Sequence, residues 1–323
     1  MILITGAAGF IGSHLCERLL ISGYKIIGLD NLCDFYDIKL KRYNLELINA
    51  KSQRDNFIFI QDDILNVKSL ESIFEKYKID SIIHLAAMAG VRPSIENPVL
   101  YQKVNVQGTQ NILECCKKFG IKKLIFASSS SIYGNNKKIP FSEEDKVDNP
   151  ISPYAATKKA GELFCHTYHY LYDIDVACLR FFTVYGQRQR PDLAIHKFAK
   201  LISEGEKVPF YGNGTTARDY TFIDDITDGI EKCLDWLNSN ENVFEIFNLG
   251  NNKPIELKEL ISLISQYLNT EIEIEKLPVP KGDVMLTYAD ITKANKYFGY
   301  NPKTAINGGL EKFFDWFDSY YKK

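Results

Sequence analysis

The chain has 323 residues, 45% of them hydrophobic, and a formal net charge of -2 from 39 basic and 41 acidic side chains. That balance, with no run of like charges, excludes the footprint of a nucleic-acid binder and the basic face of a membrane-surface protein, leaving small molecules as the expected partners. The length allows about two domains, no apolar stretch could span a bilayer, and an apolar run starting at Met1 leaves no room for a signal peptide, so a cytoplasmic protein is expected.

The first element is a short apolar strand, Ile2 to Ile4, that runs into Thr5-Gly6-Ala7-Ala8-Gly9-Phe10-Ile11-Gly12 and then into helical periodicity at Phe10, Ile11, Leu15, Leu19 and Leu20. Glycines at that junction permit a tight turn and a close backbone approach, so a diphosphate can meet the free N–H groups at the positive end of the helix. Glycines alone would fit any strand–helix turn. Asp30 narrows the reading, because it ends the second apolar run, Tyr24 to Leu29, where a carboxylate accepts both adenosine ribose hydroxyls and repels a 2′-phosphate. NAD is therefore expected in preference to NADP.

Strand and helix signals then alternate: a helix near Lys39 to Ala50, a strand Phe57 to Ile60, a helix near Val67 to Tyr77, and a strand Ser81 to Leu85. A single long helix is expected from Val99 to Phe119, then a strand Ile121 to Ala127, a helix Pro153 to Tyr172 and a strand Val176 to Phe182. Six strands in that rhythm predict an α/β fold, a Rossmann-type doubly wound parallel sheet over residues 1–182, with ligands beyond the carboxyl ends of the strands. The loops after Leu85, Ala127 and Phe182 are thus the places for chemistry. Beyond Phe182 the rhythm is irregular, with turns at Gly212-Asn213-Gly214 and Asn251-Asn252 and prolines at Pro278 and Pro280, as in a smaller C-terminal α/β substrate domain over 183–323. A segment near 218–249 is expected to pack back on the first domain. The seven cysteines include no C-x-x-C pair and read as buried free thiols, not metal ligands or disulfides.

Ser152 and Pro153 have the chemistry of an N-cap and first helical residue, placing Tyr154 and Lys158 one turn apart on one face. An ammonium there is expected to favour phenolate and lower the tyrosine pKa toward working pH. The pair alone more often marks a solvated helix face. Ser128-Ser129-Ser130-Ser131 at the end of the fifth strand adds a hydroxyl that could share a substrate proton with Tyr154, though a serine run is equally at home in a plain loop.

Taken together, Gly6-x-x-Gly9-x-x-Gly12, Asp63-Ile64, His84-Leu85-Ala86-Ala87, Asn105, Ser129-x-x-x-Tyr133-Gly134 and Tyr154-x-x-x-Lys158 resemble an extended short-chain dehydrogenase/reductase nearly end to end. The resemblance implies bound NAD, held by Gly6, Gly9, Phe10, Ile11, Gly12, Asp30, Asn31, Asp63, Ile64, Leu85, Ala86, Ala87, Asn105, Tyr154, Lys158 and Phe181. It also implies proton transfer by Tyr154 and Lys158, with Ser129 on the reacting hydroxyl. The second half is similar to nucleotide-sugar enzymes: Arg218 matches a diphosphate-binding arginine, Tyr211 a residue stacking on uracil, and Asp283 one holding the uridine ribose. Lys281 departs from the pattern, since many relatives have arginine near it. Relatives dimerise through helices matching Val99 to Phe119 and Pro153 to Tyr172, so a homodimer is implied.

In that family a 4-keto sugar is epimerised, dehydrated or decarboxylated. Dehydratases have Thr-Asp-Glu where this chain has Ser129-Ser130-Ser131, and decarboxylases have a glutamate matching Ser131. Elimination needs an acid and a base that are missing here, so NAD-dependent 4-epimerisation of a UDP-sugar is expected. Thr183 followed by Arg190-Pro191-Asp192 is similar to UDP-glucuronate 4-epimerases, where threonine and arginine hold the uronate carboxylate through the planar donor fork. Arg188 and Arg190 could instead be solvated loop charges or bind diphosphate. Ala89-Gly90-Val91-Arg92-Pro93-Ser94 also resembles that group, with Arg92 contacting NAD or sugar, while a neutral-sugar 4-epimerase and a non-catalytic NAD-binding regulator stand as alternatives.

Overall fold

A computed structural model describes residues 1–53, 55–278 and 284–321. In chain order the first half runs β1 (Ile2–Thr5), α1 (Phe10–Ile21), β2 (Ile26–Asp30), α2 (Ile38–Lys51), β3 (Phe57–Gln61), α3 (Val67–Lys76), β4 (Ser81–His84), α4 (Val91–Glu96), α5 (Pro98–Tyr101), α6 (Gly108–Phe119), β5 (Lys123–Ser129), α7 (Pro153–Tyr172) and β6 (Asp175–Phe181). The second half runs β7 (Thr183–Tyr185), α8 (Ala194–Ser203), β8 (Val208–Tyr211), β9 (Ala217–Phe222), α9 (Ile223–Asn238), β10 (Phe244–Leu249), β11 (Pro254–Glu256), α10 (Leu257–Leu268), β12 (Ile274–Leu277), α11 (Thr292–Phe298) and α12 (Ile306–Tyr321).

The main sheet has seven strands in the order β10-β6-β5-β4-β1-β2-β3, and every pairing in it is parallel. Six strands were expected; the seventh, β10, comes from the second half and pairs with β6 in register from Phe244 opposite Val176 to Leu249 opposite Phe181. It lies within the segment near 218–249 that was expected to pack back on the first domain, though no strand of the main sheet was expected there; its Phe247 and Leu249 are fully buried. The order reverses between β1 and β4, which opens a crevice at their carboxyl ends. Strands β1, β2, β4 and β6 are buried along their whole length, as expected for strands covered on both faces.

The segment from β9 to β10 lies against the first half. Arg18 on α1 donates to Asp228 at 2.7 Å and also pairs with Glu231, while the Tyr24 hydroxyl donates to Asp235 at 2.8 Å, all three acids belonging to α9. Beside this, β7, β9 and β11 form a three-stranded sheet and β8 pairs with β12.

The helix expected from Val99 to Phe119 is built in pieces. Asn97 caps α5 by accepting from the Leu100 N–H, Pro98 is its first residue, and Gln102–Gln107 then widen into π-helix before α6 resumes. Periodicity cannot reveal that, because a π turn inserts one residue without changing which residue types are present. Six of the cysteines are buried and all seven are free.

Candidate active site

A cavity of ≈ 430 Å³ sits at the reversal of strand order, within the usual range for ligand clefts. Its floor is the glycine turn. Gly6 has φ +73°, and a Cβ there would lie 2.9 Å from the Ala86 nitrogen; a Cβ on Gly12 would lie 2.1 Å from the Gly6 carbonyl oxygen. Only glycine allows both approaches. No side chain caps the start of α1, so the N–H groups at its positive end face the cavity that Gly9, Phe10, Ile11 and Gly12 line. These features fit a dinucleotide diphosphate.

At one end stand Asp30, Asn31, Asp63 and Ile64. Asp30 is fixed by the N–H groups of Ala8 (3.1 Å) and Leu32 (2.8 Å), and Asn31 donates to Asp63 at 2.8 Å. Sequence reasoning missed Lys41, buried on α2 with its Nζ 3.6 Å from Asp30 and 5.2 Å from the centre of the Tyr36 ring. The available signal was a lysine at the apolar spacing of Leu40, Asn44 and Ile48, the other buried positions of that helix.

The opposite wall is the loop after β4, where Leu85, Ala86 and Ala87 line the cavity. A directional hydrogen-bond chain supports it. Ala86 N–H donates to Thr5 Oγ1 (3.1 Å), whose hydroxyl meets His84 Nδ1 (2.7 Å); His84 Nε2 meets Thr109 Oγ1 (3.1 Å), which donates to the Asn105 carbonyl (2.6 Å). Thr109 has spent its one proton, so His84 donates from Nε2 and accepts at Nδ1. Burial pushes its pKa down to about 3. Asn105 itself does not line the cavity as expected: its side chain accepts from Met88 N–H (2.8 Å) and donates to the Met88 carbonyl (2.9 Å) and Thr157 (3.0 Å). With both ends of its amide occupied, it fastens the wall to α7 from behind.

The reacting end gathers Ser129, Ser130, Tyr154, Lys158, Phe181, Thr183, Arg190 and Arg218. Ser152 caps α7 by accepting from the Ala155 N–H at 3.2 Å, with Pro153 at the first position, which sets Tyr154 and Lys158 on the cavity face. Ser131 donates its hydroxyl to Ser129 (3.0 Å), which leaves the Ser129 proton available at the end of the cavity that Ser129 and Tyr154 both line. Desolvation raises the Tyr154 pKa above its ordinary value, with the Ser129 hydroxyl and the Arg190 charge opposing the rise. The expected lowering by Lys158 is corrected here. Lys158 Nζ donates to the Ala127 carbonyl at 2.7 Å and lies 6.0 Å from the Tyr154 ring centre, and burial drops its own pKa to about 8. The charge that opposes the rise of the Tyr154 pKa is that of Arg190, which lines the same end of the cavity.

Below this end lies a buried network. Glu162, two turns beyond Tyr154 on α7, accepts from Ser128 Oγ (2.6 Å) and from Arg180 Nε and Nη2 (2.9 and 3.0 Å), and Arg180 Nη1 donates to the Tyr133 hydroxyl (2.9 Å). It ties α7 to β5 and β6.

The two loop arginines part company. Arg188 is buried and pairs with Glu17 and His14 of α1, stapling the loop, whereas Arg190 lines the cavity with its Cζ 5.5 Å from the Phe35 ring centre. Arg190 donates to both oxygens of Asp192, at 2.9 and 2.7 Å. Arg92 and Tyr211 were expected on ligands but do not line the cavity; Arg92 lies 4.9 Å over the Tyr211 ring and donates to its hydroxyl at 3.2 Å, so each covers the other. Lys281 and Asp283 lie outside the described residues.

Comparison with known proteins gives a consistent picture. A family model described as GDP-mannose 4,6 dehydratase matches residues 3–313. The chain is 46% identical over 315 residues to a UDP-glucuronate 4-epimerase of Thermodesulfobacterium geofontis, covering 97% of this chain and 95% of that protein. It is similar to the crystal structure of UDP-glucuronic acid 4-epimerase from Bacillus cereus in complex with UDP-glucuronic acid and NAD, with 37% identity, TM-score 0.92 and 99% of each chain covered. A UDP-glucose 4-epimerase from Thermotoga maritima with UDP-glucose is similar at 31% identity and TM-score 0.88, with 99% of each chain covered.

Proposed function

Since the chain belongs to the family described as GDP-mannose 4,6 dehydratase, a group of extended short-chain dehydrogenase/reductase type, we propose that it is an NAD-dependent 4-epimerase converting UDP-glucuronate to UDP-galacturonate. The observation that carries this reading is the pairing, at one end of the cavity, of Tyr154, Ser129 and Arg190 with no carboxylate among the residues that line that end; the nearby Asp192 is held by Arg190 and does not line the cavity. Among the described residues lining the cavity the only acids are Asp30, Asp62 and Asp63, at the adenosine end. A 4,6-elimination needs an acid and a base near C5 and C6, and none is there. The family description therefore does not carry over to the reaction.

NAD would be held by the glycine turn, Asp30, Asn31, Asp63, Ile64, the Leu85 to Ala87 wall, Lys158 and Phe181, and when bound it supplies the acceptor and donor for the C4 hydrogen. The protein's own part is proton work. Tyr154 takes the proton of the C4 hydroxyl and later returns it, while Ser129, backed by Ser131, holds the same oxygen in both configurations. Thr183 and Arg190 hold the C6 carboxylate, Arg218 the diphosphate, and Tyr211, once Arg92 moves aside, the uracil. Keeping the carboxylate in a guanidinium fork also holds it back from decarboxylation at the 4-keto stage.

A neutral UDP-hexose is the second reading, favoured by the hold of Asp192 on Arg190, which already neutralises the fork. The test is a panel of UDP-glucuronate, UDP-glucose and UDP-N-acetylglucosamine with products resolved by C4 configuration. UDP-galacturonate should dominate; preferential turnover of the neutral sugars would move the assignment, and UDP-pentose with carbon dioxide would make the protein a decarboxylase. The reading extends to a cytoplasmic homodimer. No helix among the described residues is long and apolar enough to cross a membrane. Val99 on α5 and Leu163, Tyr170 and Leu171 on α7 are exposed apolar side chains on neighbouring helices. Sedimentation would give twice the 37.0 kDa chain mass if they form the interface.

A further inference from the structure

Arg190-Pro191-Asp192-Leu193 is a tight turn, closed by the Leu193 N–H donating to the Arg190 carbonyl at 3.1 Å. Pro191 sits at its second position, where a fixed φ suits it. The turn folds Asp192 back onto its own neighbour, and the two contacts it makes are specific: Oδ1 takes the Nε–H of Arg190 and Oδ2 takes one N–H of Nη2. A guanidinium has five donors in a flat fork. Filling the Nε–Nη2 edge leaves the second N–H of Nη2 and both of Nη1, a complete two-pronged edge on the other side.

The direction of that free edge follows from the surroundings. Asp192 is the outer partner, its side chain 36% exposed against 17% for Arg190, and it does not line the cavity whereas Arg190 does. On the inner side Arg190 lines the cavity together with Tyr36 and Tyr154, and its Cζ lies 5.5 Å from the centre of the Phe35 ring. Left alone, a long side chain in a cleft would sample many rotamers, and fixing one costs conformational entropy. Here the fixing is done before any ligand arrives.

We propose that Asp192 is the positioning residue for uronate recognition: it takes the outer edge of Arg190 and thereby turns the free edge toward the C6 carboxylate. The inference rests on the assignment of Arg190 to that carboxylate. It gives the Arg-Pro-Asp run a physical purpose, since arginine supplies the fork, proline the turn and aspartate the aim. It also removes the objection raised by the ion pair, because one guanidinium serves two carboxylates on different edges.

The experiment is a double-mutant cycle on the intact protein with Asp192→Asn, Arg190→Ala and the pair combined, reading kcat/KM for UDP-glucuronate and Ki for UDP, which has no C6 group. Asp192→Asn should lower kcat/KM by about tenfold with Ki for UDP within about twofold of wild type, and the double variant should be no worse than Arg190→Ala alone. The sign is informative. Removing the Asp192 charge leaves Arg190 a stronger cation beside Tyr154, so an electrostatic effect on the base would raise turnover, and only lost aim lowers it. Unchanged or raised kcat/KM in Asp192→Asn, or a further fall in the double variant, would overturn the proposal. If instead Arg190→Ala weakens UDP and UDP-glucuronate equally, the carboxylate assignment of Arg190 fails first and takes this inference with it.

Discussion

Tyr154 is desolvated and its pKa is raised, and in the proposed reaction the Ser129 hydroxyl and the Arg190 charge, which oppose that rise, help it serve as the base. Tyr154→Phe keeps the ring and removes the proton acceptor, so kcat should fall by about 10² to 10⁴ while UDP affinity is kept; near-normal turnover would remove Tyr154 from the mechanism. Arg190→Ala should do two separable things. It should cut kcat/KM for UDP-glucuronate at least about tenfold relative to any activity on UDP-glucose, through the lost charge-assisted contact. It should also shift the pH dependence of kcat toward alkaline values for every substrate, because the cation holding the Tyr154 pKa down is gone. A pH profile identical to wild type would show that Arg190 does not act on the base. At this scale residue type and spacing singled out Tyr154 with Lys158, and the family resemblance singled out Ser129 and Arg190, but neither said which cation bears on Tyr154. That depends on where Lys158 points, and its Nζ is drawn to the Ala127 carbonyl.

The helix α7 brings three side chains to one face at four-residue intervals, Tyr154, Lys158 and Glu162, and the third locks the first two to the sheet through Ser128 and Arg180. Arg180 and Glu162 are each 1% exposed, so breaking the pair leaves a buried charge without its counterion. Glu162→Gln should destabilise the protein by about 3 to 5 kcal/mol, read as a lowered urea midpoint; a change below about 1 kcal/mol would mean that the network does not hold the helix. Periodicity placed α7, with its cap, and nearly every element of the main sheet, because strands covered on both faces and amphipathic helices leave strong local patterns. It could not place the π turn at Gln102–Gln107, within which Asn105 bonds to Met88 and Thr157. Nor could it assign β10 to the main sheet, since pairing with β6 is a long-range choice that no local pattern records. Lys41 and Arg188 were passed over or left open for the same reason: a charged residue at a buried position declares itself only through its partner, Asp30 in one case and Glu17 in the other.

Across the whole molecule, burial keeps His14, His84 and His196 below their ordinary pKa. For His84 the folded value of about 3 lies below the ordinary 6.5, so the unfolded chain takes up a proton that the folded one refuses. Its stabilising contribution is complete above about pH 6.5 and is lost progressively as the pH falls toward 3, amounting to on the order of 3 to 5 kcal/mol. Urea midpoints should drop over that window, and His84→Gln should flatten the drop; an unaltered slope would contradict the buried neutral histidine. In the proposed reaction one cofactor cradle and one sugar end share a single cleft, so the hydrogen removed from C4 is expected to return to the same sugar. The most direct measurement is therefore to incubate the protein with UDP-glucuronate carrying deuterium at C4 and to follow the label by NMR and mass spectrometry. The expected result is UDP-galacturonate with deuterium retained at C4 and no carbon dioxide released. Loss of the label to solvent, or its appearance in a UDP-pentose, would contradict 4-epimerisation.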